Sequence, residues 1–243
     1  MNHPADTPTL EPASNRIHLT PSSSSRYADR LPRTISGKTR RVYDRLANVY
    51  PLSTYLFHSK AHRCALEDSG LRDGMRVLEV ATGSGEMFRR LVRANPSGST
   101  LGLDLSPKMA ARTQRRIRKE FPHARTLCQA VDARQMPFRD ETFDAVICCY
   151  LLELLGAEDL HPTVSEFRRV LRAGGRLTMV LIGQNHRLFN CAYRFCGGAL
   201  PAFWGRQVEQ RVPEIFRDAG LFIIGDRRVQ QSCYPSRIVS ASR

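Results

Sequence analysis

The stretch Val77-Leu-Glu-Val-Ala-Thr-Gly-Ser-Gly-Glu86 constrains the fold more than any other part of the chain. Apolar residues fill Met75 to Ala81, interrupted only by Arg76 and Glu79, which reads as a short buried strand. Gly83 and Gly85 then let the backbone turn sharply and approach a ligand with no Cβ in the way. Met87 to Ala94 resumes a helical spacing. A strand, a glycine turn and a helix N-terminus in succession build a nucleotide-type site, because unpaired helix amides face the turn.

The rest of the chain keeps the same rhythm. Asn95-Pro-Ser-Gly98 is a turn, and Ser99 to Leu103 a second strand ending at Asp104. Pro107 to Phe121 reads as a helix, with Pro107 near its start and Ser106 as its cap. Thr126 to Val131 is a third strand ending at Asp132, and Phe143 to Cys149 a fourth. A helix over Asp159 to Arg172 and the turn Ala173-Gly-Gly175 lead to a fifth strand, Arg176 to Ile182. Five alternations within about 110 residues predict an α/β fold of the Rossmann-like, doubly wound kind. Phe222 to Val229 and Arg237 to Ala241, joined by Cys233-Tyr-Pro-Ser236, add a C-terminal antiparallel hairpin, giving seven strands. Ligands of such sheets lie beyond the carboxyl ends of the strands, where Gly83, Asp104, Asp132 and Tyr150 converge.

Composition organises what surrounds this core. Residues 1–36 are rich in Pro, Ser and Thr, with Ser22 to Ser25 in a row, and are expected to be a disordered tail. Residues 37–243 form one domain: a helical preface or lid over 37–73, a cofactor-binding core over 74–182, an apolar insert and helix over 183–220, and the hairpin over 221–243. In the preface, Val42, Leu46, Val49, Tyr50, Leu52, Tyr55, Leu56 and Phe57 are spaced as one or two amphipathic helices broken near Pro51, with a further helix over Ser59 to Asp68 stopped at Gly70. Leu188 to Trp204 is apolar and aromatic, and a helix is expected from Gln207 to Ala219. Net charge is +14, to which residues 1–41 contribute seven Arg/Lys against three Asp/Glu. Such a surface draws anions, either nucleic acid or an acidic lipid plane. The basic residues Arg112, Arg115, Arg116, Arg118 and Lys119 read first as a solvated helix face. Seven cysteines without a Cys-x-x-Cys pair fit reduced thiols in a cytoplasmic setting. No run approaches the roughly eighteen apolar residues of a membrane span, and no secretory leader is recognised. His58 and His62 stand at i, i+4, yet no Cys or carboxylate completes a metal set, so no metal is expected.

The acids narrow the nucleotide. The dinucleotide pattern G-x-G-x-x-G would put a third glycine at position 88, where this chain has Phe88, expected to push the helix from the strand. Asp104 ends the second strand, where a carboxylate accepts both ribose hydroxyls of an adenosine. Asp132 ends the third, within reach of an adenine amino group. Glu79, one strand over and near the turn, adds a third acid. Clustered acids repel a diphosphate and suit a cation such as S-adenosylmethionine, with its sulfonium and α-ammonium.

Four segments also carry a family resemblance: Val77 to Gly85; Gly102-Leu-Asp-Leu-Ser-Pro-Lys-Met109; Asp132-Ala-Arg-Gln-Met-Pro-Phe138 with Thr142-Phe-Asp-Ala-Val146; and Arg168-Arg-Val-Leu-Arg-Ala-Gly-Gly-Arg-Leu177. In order and spacing they resemble the signature blocks of class I S-adenosylmethionine-dependent methyltransferases. With Tyr43-Asp-Arg-Leu-Ala-Asn-Val-Tyr50, the chain is most similar to the ubiquinone/menaquinone C-methyltransferases and the bacterial phosphatidylethanolamine N-methyltransferases. The resemblance implies that Glu79, Ala81, Gly83 and Gly85 line the methionine part of the cofactor. It implies that Asp104 holds the ribose, that Leu105 and Met109 lie near the adenine, and that Asp132 and Ala133 meet its edge. Cys149 and Tyr150 would face the sulfonium. Where the quinone enzymes carry an Arg-Asn pair this chain has Glu153 and Leu154, so Tyr150 and Glu153 are the candidate catalytic residues; His161 reads as a surface residue. The expectation is a methyltransferase for a small, lipophilic acceptor, quinone- or phospholipid-like, in peripheral contact with an anionic membrane. An RNA methyltransferase and a non-catalytic cofactor-binding protein are the alternatives. Nucleic acid is the weaker partner, since no base-pocket motif of the Asn-Pro-Pro-Tyr kind is present.

Overall fold

The computed structural model describes residues 50–184, 208–231 and 235–243, with the side chains of 50–58 left aside. The predicted tail, the first part of the preface, His58, the apolar insert Leu188 to Trp204 and Cys233-Tyr234 lie outside the described residues or side chains. Helix α1 spans Tyr50–Asp68. Strand β1 (Arg76–Val80) leads to α2 (Glu86–Ala94), β2 (Ser99–Asp104) to α3 (Pro107–Glu120), and β3 (Arg125–Ala130) follows. Then come β4 (Phe143–Cys149), a 3₁₀ turn (Leu152–Leu154), α4 (Ala157–Val170) and β5 (Leu171–Ile182). Helix α5 (Val212–Asp218) precedes β6 (Phe222–Val229) and β7 (Ser236–Ser242).

The seven strands form one sheet in the order β3-β2-β1-β4-β5-β7-β6. The pairs from β3 to β5 are parallel, and β7 runs antiparallel to both β5 and β6. The order in which strands are added reverses between β1 and β4, the place where sheets of this kind open a crevice at the carboxyl ends of the strands.

Successive side chains of the central strands go to opposite faces, and both faces are dry. Leu78, Val146, Cys148, Met179 and Leu181 pack with Leu160, Val164 and Phe167 of α4 and Ile215 and Phe216 of α5. Val77, Ala145, Ile147, Val180 and Ile238 pack with Ala61, Cys64 and Ala65 of α1 and Met87 and Leu91 of α2. Such two-sided burial is why these strands read as unbroken apolar runs.

The predicted architecture holds, and several boundaries move. Strand β5 starts at Leu171, not Arg176, because Leu171 pairs with Phe143 before the ladder resumes at Arg176 and Ala145. The intervening glycine turn stays bonded to the sheet: Gly174 N donates to Arg243 O at 3.1 Å, and Arg243 N to Gly175 O at 3.2 Å. Helix α4 therefore stops at Val170, two residues early. Helix α5 begins at Val212 and not near Gln207, with Pro213 in its first turn. Proline lacks the amide a continuing helix would need and suits a helix start; Val208 to Arg211 form a turn instead, closed by Arg211 N donating to Val208 O at 2.9 Å. Ser106 caps α3 as expected, its hydroxyl accepting from Met109 N at 3.2 Å.

Candidate cofactor and acceptor site

The glycine turn grows directly out of β1. Thr82 N donates to Leu103 O at 3.0 Å, extending the β1–β2 ladder by one step, and Gly85 N donates to Thr82 O at 2.8 Å to close the turn. Gly83 and Gly85 have φ of 49° and 76°, a left-handed backbone that glycine adopts without steric cost. Ala81 shares that conformation with φ 65° although it carries a Cβ.

Phe88 does not push α2 away. Gly102 on β2 makes room for it: a Cβ there would lie 2.9 Å from Phe88 Cε2 and 2.6 Å from Thr82 Cγ2. The ring is fully buried with Val92 and Ile117.

Asp104 joins two loops. Its Oδ2 accepts from Gly83 N at 2.7 Å, and its Oδ1 from Ser106 N at 2.9 Å. Glu79 points into the same region from within β1 and is 1% exposed. Its Oε2 has no hydrogen-bond partner among the described residues. Burial, and then the charge of Asp104, hold its carboxyl well above the ordinary glutamate range. Two acids this close disfavour a second negative charge, and a cation bound between them would relieve that cost and favour the ionised form of both. Cys128 sits beneath them, 3.6 Å from the Thr82 hydroxyl, its thiol pushed up to about 12 mainly by burial.

Asp132 is engaged more firmly than the sequence suggests. Arg134 grips it through Nε at 3.0 and 3.1 Å and Nη2 at 2.6 Å, and reaches Asp159 of α4 with Nη1 at 2.9 Å. The loop after β3 is thereby tied to the first turn of α4. Leu105 and Ala133 are half-buried on this rim, while Met109 is fully buried.

The acceptor candidates lie after β4. Tyr150 N donates to Val180 O at 2.8 Å, so this residue ends the β4–β5 ladder with φ 56°. Its hydroxyl is 2.7 Å from Ser236 Oγ, and burial raises its ionisation above the ordinary range. Cys149 is half-buried beside it among residues of the α1 face, its thiol likewise raised by burial. Glu153 is 1% exposed; its Oε1 accepts from Ile182 N at 2.6 Å, and its Oε2 has no partner among the described residues. Burial pushes its carboxyl up to about 7, with Glu209 adding to the effect. His161 is exposed on α4, and among the described residues no group of three metal-ligating side chains occurs. Gln231, Ser236, Arg134 and Gly102 are not singled out by the sequence as site residues, although Gly102 and Arg134 lie inside segments that carry the family resemblance and Ser236 ends the link Cys233-Tyr-Pro-Ser236.

The methyltransferase-domain family matches residues 77–175, from β1 to the turn in β5. The ubiquinone/menaquinone biosynthesis C-methyltransferase UbiE of Cellvibrio japonicus is 28% identical over 70% of this chain and 70% of its own. The 2-phytyl-1,4-naphtoquinone methyltransferase of a Nostoc strain is 25% identical over 60% of this chain and 65% of its own. A solved S-adenosylmethionine-dependent methyltransferase from Aquifex aeolicus shares the fold, with TM-score 0.58 and 22% identity over 85% of this chain and 97% of that one. These likenesses support a class I S-adenosylmethionine-dependent methyltransferase that resembles the quinone C-methyltransferases. A methyltransferase of this class uses S-adenosylmethionine, and the residues present fit it: an unpartnered buried carboxylate oxygen and a second acid face a turn that glycines keep open. The match spans about two thirds of those two relatives' own length. Among the described residues no helix is long and apolar enough to cross a membrane.

Proposed function

We propose that this methyltransferase transfers a methyl group to a small lipophilic acceptor of quinone type, working in peripheral contact with an anionic membrane. The observation that carries the reading is the pairing of an acid-lined cofactor crevice with relatives named for quinone methylation. When bound, S-adenosylmethionine supplies a methyl carbon already activated by its sulfonium, so the protein's task is alignment and exclusion of water. Glu79 with Ala81, Gly83 and Gly85 receives the methionine part. Asp104, held by two amides, accepts from ribose hydroxyls with its remaining lone pairs. Leu105, Met109, Asp132 and Ala133 bound the adenine. Cys149 and Tyr150 border the reacting centre.

Ring C-methylation also needs a proton removed, and Glu153 is suited to take it. Its carboxyl sits near neutrality with one oxygen unpartnered among the described residues, so it exchanges a proton readily at physiological pH. The test is transfer of labelled methyl from S-adenosylmethionine into quinone, phospholipid and RNA extracts. Label in the quinone fraction is expected; label confined to phospholipid or RNA would replace the acceptor reading, and no label in any would sink the enzyme. The general-base role is checked by Glu153→Gln, expected to lower turnover about 10²- to 10⁴-fold with the cofactor affinity kept. For the wild type the rate should climb as pH rises through about 7, where Glu153 loses its proton.

A further inference from the structure

Four parts of the fold meet at the carboxyl rim through one hydrogen-bond cluster. Ser236 opens β7 opposite Ile182, the last residue of β5, and is fully buried. Gln231, two residues past β6, donates from Nε2 to Ser236 Oγ at 2.7 Å and to the Tyr150 hydroxyl at 3.4 Å. Its Oε1 accepts from Ala61 N of α1 at 3.3 Å. Both ends of the side chain are therefore committed, and its partners fix the orientation of the amide. The His62 ring stands 6.4 Å from the Tyr150 ring, and Lys60 Nζ donates to Gln230 O at 3.1 Å. At its other end α1 is anchored to the sheet, where the Asp68 carbonyl accepts from Arg176 and Ser240, each at 3.2 Å.

We propose that Gln231 and Ser236 are positioning residues: they hold Tyr150 at the end of β4 and lash it to α1, so that the helix and the acceptor side of the site respond together when the cofactor binds. The inference rests on the reading above, which puts Tyr150 beside the reacting centre. Orienting Tyr150 alone would need only Ser236. The further arm from Gln231 to Ala61 adds nothing to the phenol; what it does is join the rim half of α1 to the β4 end. Tyr150 also has a left-handed backbone, which persists only where surrounding contacts over-determine it.

Hydrogen exchange read by mass spectrometry on the full chain, with and without saturating S-adenosylhomocysteine, tests this in the wild type, Gln231→Leu, Ser236→Ala and Ser236→Thr. In the wild type the ligand should slow exchange both in the glycine turn and at residues 59–65 of α1. Gln231→Leu and Ser236→Ala should keep the glycine-turn protection and a calorimetric affinity within about threefold, while the response of α1 falls about tenfold, as expected for one lost buried hydrogen bond. Ser236→Thr should restore it, which a mere packing role would not require. If Gln231→Leu fails to fold, Ser236→Ala decides. An unchanged α1 response in the variants, or none in the wild type, overturns the proposal. Calorimetry then tells the cases apart: binding without an α1 response sinks the coupling alone, and no binding in the wild type sinks the cofactor reading with it.

Discussion

Burying a carboxylate with an oxygen left unpartnered is costly, and among the described residues it occurs at both Glu79 and Glu153. Burial raises the Glu153 carboxyl from 4.5 to about 7. The folded state binds the proton more tightly than the unfolded one, so stability is fully present below the unfolded value and is lost as pH climbs to about 7. The loss is on the order of 3 kcal/mol. Glutamine keeps an oxygen for Ile182 N and does not titrate. Urea denaturation of Glu153→Gln at pH 5 and pH 8 should therefore show a smaller loss than the wild type; equal losses would mean that Glu153 is charged throughout. Ala81 is a second residue-scale strain. Its left-handed φ of 65° costs roughly 1–2 kcal/mol, so Ala81→Gly should raise the unfolding free energy by about 1 kcal/mol, a sign opposite to that of most core glycine substitutions. The acids at strand ends were legible from position alone, because strand ends are where this topology places ligands. The Arg134 grip on Asp132 was not, since the second partner of Arg134, Asp159, lies on another element.

At the scale of elements, the fit of α2 on the sheet shows why a motif is read incompletely from its own residues. The missing third glycine at Phe88 suggested a displaced helix, whereas the space comes from Gly102, a residue of the neighbouring strand. The pair predicts a compensating substitution. Gly102→Ala should destabilise by about 1–3 kcal/mol through overpacking against Thr82, Phe88 and Cys128. Phe88→Leu should recover part of that loss in the double variant, although it is destabilising alone. Additive effects in a double-mutant cycle would show that the two side chains do not compete for the same space. Local signals placed most elements: Ser106 and Pro107 mark the start of α3, and Gly220, with φ 71°, follows the end of α5. The start of β5 was hidden because its first residue pairs across a four-residue excursion that reads as a plain turn. The C-terminal strands were recognisable as a hairpin, but not the insertion of β7 between β5 and β6, since a hairpin's pattern does not say which arm meets the sheet.

The whole molecule offers two features that would favour association with other surfaces, and topology separates them. One is the net charge of +14, spread over tail and body. The other is Phe222, Ile223 and Ile224, 71%, 40% and 50% exposed, on the edge strand β6. Phe222 pairs with Ser242, which pairs in turn with Arg176, so this apolar edge starts at the amino rim of the sheet. The candidate site lies at the carboxyl rim, marked by Ile182 and Ser236. An edge at the opposite rim cannot hand a lipid-borne acceptor to that site. It is a liability of a different kind, an exposed edge open to strand pairing, and the register shift between Ile223 and Gly225 only partly blunts it. Phe222→Asp should thus lower light scattering of concentrated protein while leaving vesicle binding unchanged. Vesicle binding should follow charge: cosedimentation with vesicles rich in phosphatidylserine is expected at low salt and should be largely lost near 1 M salt, where screening shortens to about 3 Å. Binding that survives high salt but is abolished by Phe222→Asp would reverse the assignment and make the β6 edge the membrane-facing surface.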